Sequence, residues 1–220
     1  MSAPAGPPAV SDDPPFPDAD ERLVVEPDCA RCPALVDCRN RICWGVGPRE
    51  ADVVVVGEAP GPGSPEAARW RGGDHTGMAY TARHSGRRIR ETMRRAGVSR
   101  AYYTNAVKCL PCDGDGGTRE PTPTERERCR EHLLAELDAV DPAVLVTTGR
   151  HAMQSALAAV DRELDGFVER VLDPVELDPL GVTLVPLVHP SYRDVWIARL
   201  GYDYPAYAEA VGERIAAVRG

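Results

Sequence analysis

The sequence predicts an α/β fold, a three-layer α/β/α sandwich around a short central parallel sheet, and two observations carry that expectation. Four short apolar runs, at 52–57, 101–107, 143–148 and 182–188, show no polar alternation, as strands buried on both faces do. Between and after them lie helical segments at about 85–97, 123–140, 150–160 and 205–218. Strand and helix therefore alternate. That order implies parallel strands joined by right-handed crossovers, with helices on both faces and ligands bound outside the carboxyl ends of the strands.

Taken in chain order, residues 1–20 are rich in proline and aspartate with little apolar patterning, and are expected to form a mobile tail ahead of one folded domain at 21–220. The first strand, Asp52-Val-Val-Val-Val-Gly57, is continuously apolar and ends in glycine. The helix at 123–140 has the best-marked start: Thr122 as N-cap, Pro123 at the first helical position and Glu125 placed to close a capping box. No internal repeat is present.

Composition bounds the function classes. No stretch approaches the roughly 18 apolar residues of a membrane span, and no apolar leader core precedes a cleavage site, so a soluble cytoplasmic protein is expected. Net charge is −8, with 26 basic against 34 acidic residues, and Lys108 is the one lysine. Such an acidic chain is a poor generic binder of nucleic acid. The charge is uneven, however: Arg83, Arg87, Arg88, Arg90, Arg94, Arg95 and Arg100 face the single acid Glu91. Taken alone, that run reads as a solvated helix face.

Seven cysteines in a reducing compartment are not counted on as cystines, and an odd number cannot all pair. Cys29 and Cys32 form a C-x-x-C pair, Cys109 follows the second strand, and Cys129 shares a helix face with Leu133 and Leu137. Thiolates gathered from separate segments bind a soft metal centre, either an iron-sulfur cluster or zinc. Cys109 and Cys112 also make a C-x-x-C, so a two-knuckle zinc site with Cys29 and Cys32 stands as the rival arrangement, and spacing does not separate the two.

Each strand end carries chemistry: Gly57-Glu58-Ala59-Pro60-Gly61, then Thr104-Asn105-Ala106-Val107-Lys108-Cys109, then Gly149-Arg150-His151, then His189-Pro190-Ser191. With Thr76-Gly-Met-Ala-Tyr-Thr81, these motifs in this order resemble the uracil-DNA glycosylase superfamily, in its iron-sulfur, family-four branch. The resemblance spans about 29–191. It implies a uracil-DNA glycosylase-like sandwich and a DNA repair hydrolase of base excision repair, acting on uracil-containing DNA as a monomer and leaving an abasic site. It also implies a [4Fe-4S] cluster on Cys29, Cys32, Cys109 and Cys129, with zinc as the alternative metal and Cys38, Cys43 and Cys112 left over. In that reading the cluster is structural.

Breaking an N-glycosidic bond to uracil leaves an anion on the base and a cation-like sugar, which calls for a donor at the base oxygen and an oriented water on the other face. His189 suits the donor role and Glu58 is implied to hold the water. Asn105 offers a donor and an acceptor that fit the O4 and N3–H edge of uracil. Tyr80 falls where the branch has a phenylalanine stacked on the flipped base. Gly57, Ala59 and Ser191 complete the expected substrate site. His189, Glu58, Asn105 and Tyr80 each also have an ordinary structural reading, as a satisfied, capping or core residue.

The chain departs from the family pattern in places. The loop from Gly61 to Thr76 is longer than usual and carries Arg69, Trp70 and Arg71, and Met78-Ala79 replaces Arg-Pro. Ala82 and Arg83 follow Thr81 where a sister branch has an aspartate, which favours the Glu58 type of mechanism. His75 and Thr76 have no expected role. Tyr192 and Arg193 are candidates for the wedge that fills the gap left by an extruded nucleotide, and Arg87, Arg88 and Arg94 for contacts to the DNA backbone. The competing class is a non-catalytic, metal-stabilised nucleic-acid-binding relative of the same fold.

Overall fold

The computed structural model describes residues 14–66, 70–82 and 84–219. Five strands form one sheet: β1 (Val53–Gly57), β2 (Tyr102–Asn105), β3 (Val144–Thr148), β4 (Val175–Leu177) and β5 (Val182–Leu187). The order across the sheet is β2-β1-β3-β5-β4, with all pairs parallel except β4 against β5. The chain leaves β1 for β2 on one side and returns to β3 on the other. The carboxyl ends of β1 and β3 therefore flank the topological switch point, where α/β folds bind ligands.

Helices cover both faces. Val53 and Val55 pack with Ile89 and Met93 of α2 (Ser85–Arg95) and with Tyr207, Val211 and Ile215 of α6 (Tyr204–Arg219). Val54 and Val56 pack with Leu133 and Leu137 of α3 (Pro123–Val140) and with Met153 and Ala156 of α4 (Arg150–Ala158). Alternate valines of one strand thus enter opposite cores, which is why the run has no polar residue. Burying each is worth about 1.5–3 kcal/mol relative to exposure.

The four expected strands and four expected helices are present to within a few residues at their ends. Thr122 and Glu125 close the capping box: the Glu125 N–H donates to Thr122 Oγ1 at 3.2 Å and the Thr122 N–H to Glu125 Oε2 at 2.8 Å. Arg119 adds two bonds to the same carboxylate at 2.6 and 2.7 Å. Among the α-helices and strands of the described residues, three were not expected: α1 (Pro33–Cys38), α5 (Arg193–Arg199) and the antiparallel edge strand β4. Each is too short for its apolar period to stand out.

The segment ahead of β1 does more than was expected of it. Val46 exchanges two backbone hydrogen bonds with Tyr103 at 2.9 Å, so it covers the edge of β2. The expected mobile tail lies outside the described residues over 1–13, as do Arg69 and Arg83. Within 14–20, Pro14 is buried and the Phe16 ring meets Trp70 edge to face at 5.0 Å. Apolar contact to the long loop thus holds part of a segment whose composition suggested none. Among the described residues, no helix is long and apolar enough to cross a membrane.

Candidate active site

The four strand ends meet in one crevice, lined by Gly57, Glu58, Ala59, Tyr80, Asn105 and His189 among others. Its floor is tightly packed. A methyl group at Gly57 would stand 2.5 Å from Asn105 Oδ1 and 2.8 Å from the Tyr80 hydroxyl, so only glycine lets these three meet. The Asn105 side chain is buried, and its Nδ2 has no hydrogen-bond partner among the described residues. A buried amide left unpaired is costly, and such groups gather where a ligand completes them.

Tyr80 adopts φ +56, a backbone conformation that bulky residues rarely take. Several contacts hold it there. Its hydroxyl bonds Thr148 Oγ1 at 2.6 Å, its ring meets Tyr103 edge to face, and its carbonyl lies so close to Gly86 that a Cβ at that position would collide. The Thr76 and Thr81 hydroxyls lie 2.7 Å apart, each within hydrogen-bond reach of the Gly73 and Met78 carbonyls, which gives Thr76 a role in building the turn before Tyr80. Asp74, unremarked in the sequence, is buried and accepts two bonds from Asn40 at 2.8 and 2.9 Å, fastening the long loop to the N-terminal segment.

His189 caps the short turn Pro190–Tyr192. Its Nδ1 accepts the Ser191 N–H at 3.2 Å, which leaves the hydrogen of a neutral imidazole on Nε2. Burial, reinforced by the charge of His151, holds this imidazole below the usual histidine range. Ser191 itself is exposed and meets His189 through its backbone.

Glu58 is half-buried, and burial pushes its carboxyl above the usual carboxylate range. His151 and Arg126 oppose that shift and Glu120 adds to it. His151 Nε2 in turn lies 3.1 Å from Glu120 Oε1. His151 thus acts on both Glu58 and His189. In the sequence it stood at the end of the Gly149-Arg150-His151 strand-end motif, with no role assigned to it.

Behind the crevice sits the lone lysine. Lys108 is buried and donates its three ammonium hydrogens to Thr104 Oγ1 at 2.7 Å, the Asn105 carbonyl at 2.6 Å and Glu136 Oε2 at 2.6 Å. Glu136, also buried, accepts the Gly45 N–H at 2.9 Å. This network holds the backbone of Asn105 from behind.

Of the residues expected to meet DNA, Tyr192 is 65% exposed beside His189, and Arg94 is exposed on α2. Arg88 and Arg193 differ from expectation. Arg88 donates to the carbonyls of Pro190 and Ser191 at 3.2 and 3.3 Å, bracing the His189 turn, and pairs with Asp194 at 3.5 Å. Arg193 pairs with Glu91 and Asp194 and stacks on Tyr204 at 3.9 Å, leaving its side chain 13% exposed. Both guanidinium groups are engaged within the fold. Arg87 is partly buried on α2.

Cys29, Cys32, Cys109 and Cys129 line one cavity with Leu35 and Ile42. Their sulfurs meet several nitrogens: Arg39 Nη1 donates to Cys109 at 3.2 Å, the Lys108 N–H to Cys129 at 3.3 Å, and His132 Nε2 lies 3.3 Å from Cys29. Burial pushes the Cys129 thiol up to about 12 and raises those of Cys32 and Cys109. Burial therefore opposes the thiolates, and a cation among them would reverse that balance. The donor set fits a soft metal. Glu26 and His132 bring further ligand atoms within 4.8 Å of Cys29, a signal the cysteine pattern did not contain.

Cys38 and Cys112, 74 residues apart, form a disulfide. The cysteines were not counted on as cystines, and this pair departs from that reading. It also removes the two-knuckle zinc arrangement, since Cys112 has its sulfur bonded elsewhere. Cys43 is buried and free.

A family profile described as the Uracil DNA glycosylase superfamily matches residues 44–205, most of the chain and all five strands. The chain belongs to the uracil-DNA glycosylase superfamily. Within that family it is similar to the Type-4 uracil-DNA glycosylase of Archaeoglobus fulgidus, with 30% identity over 190 residues that cover 84% of this chain and 87% of the relative. The protein of the same name from Thermotoga maritima is 31% identical over 166 residues, covering 74% of this chain and 77% of the relative. Both alignments extend over the greater part of a folded unit that holds the crevice and the cysteine cavity.

Proposed function

We propose that this chain is a DNA repair glycosylase that hydrolyses the N-glycosidic bond of uracil in DNA and leaves an abasic site. The observation that carries the reading is Asn105, whose unpaired, buried amide nitrogen lies in the same crevice as His189. A flipped uracil would accept from Asn105 Nδ2 at O4 and donate its N3–H to Asn105 Oδ1, a pairing that cytosine, with a donor at position 4, does not offer.

As the bond from C1′ to N1 breaks, its electron pair passes to the base and spreads to O2. The Nε2–H of neutral His189 donates to that developing charge without itself ionising. Glu58, as a carboxylate, orients a water toward C1′ and accepts its proton as the new bond to oxygen forms. Tyr80 closes the pocket against the base, with Gly57 and Ala59 giving the close approach of the backbone. Tyr192 is the wedge that fills the vacated stack, and Arg94 meets phosphates.

Cys29, Cys32, Cys109 and Cys129 would hold a [4Fe-4S] cluster, which when bound supplies a structural cross-link and no step of the hydrolysis. The protein acts as a monomer in the cytoplasm in this reading, and residues 21–220 form one domain. The test is incubation with a single uracil-containing oligonucleotide followed by alkaline cleavage on a gel. Strand scission at the uracil supports the reading. An intact strand with wild-type protein, and bound oligonucleotide in a shift assay, would point instead to a non-catalytic DNA-binding relative.

A further inference from the structure

A groove outside the crevice runs between α3 and α4 and encloses about 350 Å³, within the range of small-molecule sites. Arg126 and Arg130, one turn apart on α3, form one wall, and Arg162 stands just beyond α4. Glu163 is the single acid among the lining residues, so three positive charges meet one negative in a chain of net charge −8. Such a local reversal of sign is set against the field of the whole molecule and marks an anion-binding surface.

The fold engages these arginines only in part. Arg126 spends Nη1 on the Pro121 carbonyl at 2.8 Å and Arg162 spends Nη1 on the Glu176 carbonyl at 2.9 Å, which anchors each guanidinium and leaves its other edge available. Arg130 has no hydrogen bond or ion pair among the described residues. At the base of the groove, Ser155 is 8% exposed and its Oγ has no hydrogen-bond partner among the described residues. A serine inside a helix can bond back to a carbonyl one turn earlier, and Ser155 does not. Leu133 and Leu164 supply apolar surface beside these polar groups.

We infer that the groove between α3 and α4 is a second binding site, for a phosphate-bearing ligand of nucleotide size. Anchored guanidinium groups present planar donor pairs to phosphate oxygens, the Ser155 hydroxyl donates from below, and the leucines accept a base or sugar face. Two sources share that chemistry: a free nucleoside monophosphate, and a backbone phosphate of a bound DNA strand. The site lies outside the crevice, so its test does not depend on uracil excision.

The experiment titrates full-length protein with deoxyadenosine monophosphate, and separately with a uracil-free single-stranded oligonucleotide, by calorimetry. Wild-type protein is compared with the pair Arg130→Ala and Arg162→Ala combined, and with Ser155→Ala. Loss of the two charged contacts is expected to weaken binding at least about tenfold, and loss of the hydroxyl about fivefold. If the mononucleotide binds and the variants weaken it, the ligand is a free nucleotide. If only the oligonucleotide binds and the same variants weaken it, the ligand is a DNA phosphate, and the phosphate site stands. If both variants melt as wild type does and bind both probes with unchanged affinity, or neither probe binds wild type, the inference is overturned.

Discussion

Lys108 and Glu136 form an ion pair of 2.6 Å in which the two side chains are 1% and 0% exposed. The pair stands between two sites: the Lys108 ammonium holds the Asn105 carbonyl and the Lys108 backbone N–H donates to the Cys129 sulfur. Removing one partner leaves the other charge buried alone. Lys108→Met is therefore expected to cost about 3–5 kcal/mol of stability, read from urea unfolding. Combining it with Glu136→Leu should recover part of that loss. A single-variant cost under about 1 kcal/mol would show that the pair contributes little.

Asn105→Asp tests uracil reading. A carboxylate cannot donate to O4 and repels the anionic base, so excision in single-turnover assays is expected to fall about 10²- to 10³-fold, with the fold intact by circular dichroism. Unchanged excision would remove Asn105 from the recognition step.

The pH profile carries a third expectation. In the proposed mechanism activity needs His189 neutral and Glu58 ionised, so both groups act on the acid limb. Burial lowers His189 from its ordinary value and raises Glu58 from its own, so the limb lies above the ordinary carboxylate value of about 4.3. His151 lowers both groups, while Glu120 and Arg126 also face Glu58. His151→Ala should thus move the acid limb of kcat/KM to higher pH while the plateau changes little. An acid limb that stays in place would mean that His151 does not act on these groups.

The crevice was legible in the sequence because its parts sit on local signals. Strands buried on both faces read as unbroken valine runs, and each run ends at a motif that the parallel topology then collects. What was not legible rests on pairs far apart in the chain. Arg88 looks like any surface arginine of a basic helix until the turn at Pro190 and Ser191 arrives beside it. Lys108 stood out only as the lone lysine, since its partner Glu136 lies mid-helix among other charges. The Cys38–Cys112 bond could not be chosen from seven cysteines by spacing.

The cysteine cavity predicts a separable metal phenotype. Protein purified without oxygen is expected to contain iron and acid-labile sulfide. Cys129→Ser should lose both and melt at lower temperature, because a buried ligand and its cross-link are removed together. Cys112→Ser, which breaks only the bond to Cys38, should keep the metal. Zinc in place of iron, or metal loss in Cys112→Ser alone, would overturn the ligand assignment.

Arg88 and Arg94 lie on the same helix and should fail in different ways. Arg94 is exposed on α2, and Arg94→Ala is expected to lower affinity for any DNA sequence and to reduce the slope of log affinity against log salt by roughly 0.7–0.9, the value for one phosphate contact. Arg88 instead braces the carbonyls of Pro190 and Ser191, whose turn orients His189. Arg88→Ala should keep the salt slope and lose excision rate, since a misplaced donor no longer meets the developing charge. Arg88→Lys should recover part of that rate by returning one bond to the turn. If Arg88→Ala changes the salt slope as Arg94→Ala does and leaves the single-turnover rate alone, the arginine acts on DNA directly and the turn is held by other contacts.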